Sequence, residues 1–99
     1  MFFEILPNEA AQLLEEDKHV SILDIREAGE VAAGKIPGAQ HIPLGQVLTR
    51  TEELDPNKEY IVVCRSGNRS SLACEWLSEK GFNVKNMAGG ISNWTGPIE

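Results

Sequence analysis

The chain has 99 residues, enough for one compact domain (1–99) with a modest core and too few for two. Hydrophobic residues make up 41% and charged residues 24%, ordinary globular values that exclude a disordered or low-complexity chain. A net charge of -6 argues against nucleic acid as the main partner.

The acidity is uneven. Residues 1–63 hold twelve acidic and five basic side chains, net -7, whereas residues 64–99 hold three acidic and four basic, net +1. The stretch that begins at Cys64 is therefore a less negative region on an acidic protein, which suits a small anion better than a polyanion. The opening "MFFEILPNEA" has neither the basic nor the long apolar segment of a signal peptide. No apolar run approaches membrane-spanning length, so no membrane partner is expected. Two cysteines, Cys64 and Cys74, are too few for a disulfide scaffold, and a reduced, cytoplasmic protein is the expectation.

In chain order, Pro7 opens a predicted helix with Ala10, Leu13 and Leu14 on one face, closed by the charged "EEDKH". "VSILDI" (20–25) predicts a buried strand ending near Asp24. "REAGEVAAG" predicts a short helix that Gly34 ends. "KIPGAQHIPLG" is turn-rich, with at most a short strand around His41 and Ile42. "LGQVLTRTEEL" reads as helical and "DPNK" as a turn. "EYIVV" is the clearest strand, β-branched and continuous. From Arg69 to Lys80 a helix is predicted, with Leu72, Ala73, Trp76 and Leu77 opposite Glu75 and Glu79, and Gly81 capping it. "FNVKNM" is a further strand, and "AGGISNW" a glycine turn into a final helical turn. Strands thus alternate with helices, the pattern of an α/β fold with a mostly parallel sheet covered on both faces. Ligands of such sheets sit beyond the carboxyl ends of the strands, and Asp24 and Cys64 both fall at such ends.

The stretch "IVVCRSGNRSS" (61–71) carries the chemistry. Cys64 leaves a buried strand, and a helix starts near Arg69. A helix N-terminus presents unpaired N–H groups and a partial positive charge, so a thiolate facing it, beside arginine, is stabilised. Gly67 lets the backbone turn so that several N–H groups converge on one point. Ser66, Asn68 and Ser70 add small donors. Arg69 is a cation in a first helical turn, where it is mildly unfavourable unless an anion sits there. Taken singly, each residue has a plain structural reading, a core thiol or a surface charge. Together they describe an activated nucleophile in a positive, partly exposed pocket.

"CRSGNRS" (64–70) resembles the active-site loop of single-domain rhodaneses, the thiosulfate sulfurtransferase family. "LDIRE" (23–27), "GKIPGAQHIPL" (34–44) and "AGGISNW" (88–94) resemble the family's other signature stretches, in order and spacing. One departure is Lys35, where the family often has histidine. The resemblance implies a rhodanese-like, five-stranded sheet with helices on both sides. It implies Cys64 as the nucleophile, with the amides of residues 65–69 holding the transferred sulfur. Arg65 and Arg69 would attract the anion, while Ser66, Gly67, Asn68 and Ser70 shape the pocket. It implies a sulfane sulfur passing from a donor such as thiosulfate to Cys64, and then from the persulfide to cyanide or a thiol. A thioredoxin-like or sulfur-relay protein is a further implied partner. No metal or organic cofactor is implied.

Two rival readings stand beside this one. Cysteine phosphatases and arsenate reductases resemble C-x5-R, room enough for a tetrahedral phosphate; here Cys64 and Arg69 enclose four residues, so the ring of amides is short by one position. A rhodanese-type sulfur carrier or regulatory binding module, acting with a protein partner, would share every feature named. Asp24 and Arg26 read as a structural ion pair near the rim. Cys74, beside Ala73, reads as a buried structural thiol. His19 and His41 sit in no metal-ligand spacing and read as structural or surface. Trp76 and Trp94 read as packing residues, and the acidic clusters at 15–17 and 52–55 as solvated faces.

Overall fold

A computed structural model describes residues 1–99. Five strands form one sheet: β1 (Phe3–Ile5), β2 (Val20–Asp24), β3 (Gln40–His41), β4 (Glu59–Val63) and β5 (Asn83–Met87). Their order is β1-β5-β4-β2-β3, and every neighbouring pair is parallel. Three α-helices join them: α1 (Pro7–Glu16), α2 (Ala28–Ala32) and α3 (Asn68–Glu79). This is the parallel α/β architecture that the alternation predicts.

β4 shows why the sheet is buried on both sides. Tyr60 and Val62 join one apolar cluster with Ala73, Cys74 and Leu77 of α3. Ile61 and Val63 point the other way, into a cluster with Ala10 of α1, flanked by Leu13 and Leu14. A strand with both faces covered has no polar side to alternate with, hence the continuous run. Each such fully buried aliphatic side chain contributes roughly 1.5–3 kcal/mol.

The sheet aligns the ends that matter. β2 and β4 run in register, with Asp24 beside Val63. The Ile25 N–H donates to the Val63 carbonyl at 3.0 Å. Asp24 and Cys64 therefore leave the sheet on the same rim, as the sequence pattern predicts.

Three local expectations change. β1 forms at residues 3–5, where no strand is predicted; its pairing is to β5, more than 80 positions away, so nothing local announces it. "LGQVLTRTEEL" folds as two 3-10 turns, Leu44–Thr49 and Thr51–Glu53, rather than one α-helix. Val47, Thr49 and Thr51 are β-branched and Gly45 is flexible, so the segment makes tighter i→i+3 bonds such as Arg50 N–H to Val47 O at 3.3 Å. On α3, the buried positions are Ser70, Ala73, Cys74 and Leu77, while Leu72 is 41% exposed. The inner face of that helix is thus rotated toward its polar first turn. No helix is long and apolar enough to cross a membrane.

Candidate active site

The loop between β4 and α3 gathers Cys64, Arg65, Ser66, Gly67, Asn68, Arg69 and Ser70. Gly67 has φ +100, the left-handed region, and lies immediately before the first helical residue. A Cβ there would stand 3.3 Å from the Gly89 nitrogen. That turn brings the Gly67 N–H back to donate to Cys64 Sγ at 3.0 Å. Ser70 Oγ, one turn into α3, sits 3.3 Å from the same sulfur. Burial pushes the Cys64 thiol up, but the Ser70 hydroxyl and the amides of Ser70, Gly67 and Ser66 outweigh it, so the pKa falls below the ordinary thiol value. Of the N–H groups that the sequence expects to converge, that of Gly67 makes the hydrogen bond to the sulfur.

The sulfur is more enclosed than a partly exposed pocket implies. Cys64 has no accessible surface, whereas Arg65, Ser66 and Asn68 above it are exposed. Gly67 folds inward, and its N–H lies against the enclosed sulfur.

The two arginines differ. Arg65 is exposed and forms no ion pair. Arg69 donates from both terminal nitrogens to the Glu30 carboxylate, at 2.8 and 2.9 Å. The anion at the start of α3 is thus supplied by α2. The Arg69 bond, and to a lesser degree the Glu27 backbone, holds the Glu30 carboxyl down to about 2.

A buried pair anchors α2. Asp24 is wholly buried and accepts from Arg26 Nε at 3.0 Å and Nη2 at 2.7 Å. Arg26 Nη2 also donates to the Gly34 carbonyl at 2.7 Å, across the far end of α2. This is the structural pairing that the sequence suggests, and breaking such a pair by losing one partner costs about 3–5 kcal/mol. Its link to the loop is indirect, through α2 and Glu30. His41 caps the Arg26 carbonyl through Nε2 at 2.7 Å, and His19 is exposed, so neither faces Cys64. Lys35 pairs with Glu99, which neutralises the charge it brings to the rim.

Residues 90–92 brace the loop from the end of β5. The Ile91 N–H donates to the Cys64 carbonyl at 2.8 Å, and the Ser92 N–H and Oγ donate to the Arg65 carbonyl at 3.0 and 2.8 Å. Gly90 has φ +61, and a Cβ there would meet the Cys64 carbonyl oxygen at 2.4 Å. This is the physical content of "AGGISNW". Trp94 packs against the α1-side cluster. Cys74 is fully buried and unpaired, and burial pushes its thiol up to about 12.

Three site neighbours escape sequence reasoning. Glu30 is one of many acidic residues and only folding brings it to Arg69. Asn86 sits in β5, 2% exposed, and Glu4 sits in β1. Ser70 Oγ donates to Asn86 Oδ1 at 2.5 Å, and Asn86 Nδ2 donates to Glu4 Oε2 at 2.7 Å and to the Gly67 carbonyl at 3.2 Å. One signal was present: an asparagine two positions from Val84, on the same buried face of β5.

A cysteine at the carboxyl end of a parallel strand, under a glycine-turned ring of amides, is the site that this loop builds. The family described as the rhodanese-like domain matches residues 6–97, and the chain belongs to that family. It is 42% identical over 93 residues to the Bacillus subtilis protein named "Putative sulfurtransferase YtwF", covering 94% of this chain and 90% of that one. It is 37% identical over 93 residues to the thiosulfate sulfurtransferase GlpE of Pseudomonas fluorescens, covering 93% and 84%. The crystal structure of a rhodanese-like domain protein from Staphylococcus aureus superposes with a TM-score of 0.92 at 32% identity, covering 99% and 97%.

Proposed function

We propose that the protein is a sulfurtransferase that carries a sulfane sulfur on Cys64. Membership of the rhodanese-like family supports sulfur transfer in general. The name of the Pseudomonas relative supports thiosulfate as the donor to try first. The observation that carries the reading is the Gly67 N–H held 3.0 Å from Cys64 Sγ, at the N-terminus of α3.

The chemistry proceeds in two displacements. The Cys64 thiolate attacks the outer sulfur of thiosulfate; the new S–S bond forms as the old one breaks, and its electron pair leaves on sulfite. The product is an anionic persulfide. Cyanide or a thiolate then attacks the terminal sulfur, taking it as thiocyanate or a persulfide and returning Cys64 as thiolate. Charge is conserved in both steps, and neither needs an outside oxidant. Amides aimed at the sulfur stabilise the negative charge without reorganising during reaction. Splitting one transfer into two is covalent catalysis. A ring closed this tightly, with Arg69 turned outward to Glu30, suits a single sulfur better than a tetrahedral phosphate.

Intact mass after incubation with thiosulfate tests this reading. Wild type gains one sulfur atom, cyanide removes it, and Cys64→Ser gains none. Hydrolysis of a phosphate ester without sulfur gain would replace it with a phosphatase. Sulfur accepted only from a cysteine desulfurase would replace thiosulfate with a protein donor.

A further inference from the structure

Ser70 has one hydroxyl proton and two acceptors that claim it. On one side is Cys64 Sγ, at 3.3 Å. On the other is Asn86 Oδ1, at 2.5 Å. The orientation of the Asn86 amide is fixed by its other end. Nδ2 faces the Glu4 carboxylate at 2.7 Å and the Gly67 carbonyl at 3.2 Å, and both can only accept. Oδ1 must therefore face Ser70, and the Ser70 proton lies toward Asn86.

That arrangement suits a neutral thiol, whose S–H donates to Ser70 Oγ. It does not suit a thiolate, which would meet an oxygen lone pair. When the thiol proton leaves to solvent, Ser70 must turn its proton to the sulfur, and the buried Asn86 Oδ1 loses its donor. An unpaired buried acceptor is costly. Glu4 sharpens the competition, because its negative charge polarises the Asn86 amide and makes Oδ1 the stronger acceptor. The chain runs from β1 through β5 to α3, across Glu4, Asn86 and Ser70, and ends on the reacting sulfur.

We propose that Asn86 and Glu4 are positioning residues for sulfur transfer, which through the Ser70 hydroxyl decide when a proton is offered to Cys64. Ser70 keeps its proton throughout: its O–H donates a hydrogen bond to the sulfur while Cys64 is a thiolate and swings back to Asn86 Oδ1 once Sγ is bonded to a second sulfur. This inference rests on Cys64 as the nucleophile. The other charged or titratable groups around it are Arg65 and Arg69 in the loop and first turn, and Cys74 on α3. Around Glu4 they are Glu9 and Glu16 of α1 and Lys85 of β5, which line the same open cleft. Lys85 pairs with Glu59.

The test is the pH profile of Cys64 alkylation by iodoacetamide, followed by mass on the intact chain. Glu4→Gln keeps an acceptor for Asn86 but removes the charge, at an exposed position that does not threaten folding. The midpoint is expected to fall by about half a pH unit, roughly a threefold faster reaction below the midpoint. In a Ser70→Ala background the same substitution is expected to have little effect, since the proton that it acts through is gone. No shift in Glu4→Gln overturns the proposal, and so does a shift that survives Ser70→Ala undiminished, which marks simple charge repulsion through space. Thiosulfate loading, measured beside it, separates the two readings. A moved alkylation profile without sulfur gain removes sulfur transfer and leaves the relay. Normal sulfur gain with an unmoved profile does the reverse.

Discussion

The guanidinium of Arg69 and the carboxylate of Glu30 meet in a two-point fork, Nη1 to Oε1 at 2.8 Å and Nη2 to Oε2 at 2.9 Å. The pair ties the first turn of α3 to α2, and it makes the second arginine of the loop nearly neutral as seen by an approaching anion. Arg65 is left as the uncompensated cation beside Cys64.

The two arginines should therefore separate in kinetics. Arg65→Ala is expected to raise KM for thiosulfate about fivefold at low salt, the equivalent of roughly 1 kcal/mol of screened attraction. Removing the neutral pair together, Arg69→Ala with Glu30→Gln, should raise it less, because that double variant leaves the local net charge unchanged. Added salt should erase most of the Arg65 effect. Steady-state assays at two ionic strengths check this, and equal effects from both variants would remove the distinction.

The same pair predicts an acid limb of stability. The Glu30 carboxyl is held at about 2, against 4.5 as its ordinary value. A depressed carboxylate adds stability that is fully present above 4.5 and is lost as pH falls through the folded value. Both side chains are about one-third exposed, so solvent screening keeps the gain well below that of a buried pair. Urea titrations of wild type and Glu30→Gln should give curves that converge between pH 4.5 and 2. A difference that persists unchanged to pH 2 would assign the loss to something other than the ion pair.

Cys74 predicts the opposite limb. Its thiol is pushed up to about 12 by burial, with smaller contributions from Glu4 and Cys64, against an ordinary 9.0. An acid whose folded pKa is raised favours the fold below 9.0, and that contribution is lost progressively as pH rises toward 12. The loss is at most about 1.4 kcal/mol per pH unit. Cys74→Ala should flatten the alkaline decline in melting temperature, although it lowers stability at neutral pH by leaving a small cavity. At neutral pH Cys74 should alkylate only on unfolding, and relative to the unfolded chain Cys64 should be slowed far more toward a bulky aromatic disulfide than toward iodoacetamide. Equal slowing for the two reagents would mean that the loop does not shield the sulfur.

Gly90→Ala should be more damaging than an ordinary surface change. Its Cβ would stand 2.4 Å from the Cys64 carbonyl oxygen and 2.6 Å from the Arg65 carbonyl carbon, both backbone atoms. Strain at φ +61 adds to that overlap. A loss of about 2–4 kcal/mol is expected in urea denaturation, with sulfur loading reduced even where the chain still folds. Unchanged loading would show that residues 90–92 do not set the loop.

Much of this was legible in the sequence. β2, β4 and α3 carry continuous or periodic apolar patterns, and the loop motif is local, so Cys64, Gly67 and Ser70 could be placed from spacing alone. What remained hidden depends on distance along the chain. Glu4 lies 82 positions from Asn86, and Glu30 39 from Arg69. No local propensity reports such a pair. The enclosure of Cys64 was also hidden, because whether a loop folds over a thiol depends on where residues 90–92 anchor it. Leu72 misled for a related reason: Ser70 and Cys74 take the inner face of α3, and a hydrophobicity pattern does not expect a serine there.

The outermost strands are the shortest, three residues in β1 and two in β3. A sheet border exposes N–H and C=O groups that can template another copy, and the hazard grows with the length of that border. Here the long, β-branched strands are all interior, sheltered from any second chain. Borders this short offer a second chain little to pair with, and "EYIVV", at the centre of the sheet, becomes accessible only if its neighbouring strands separate.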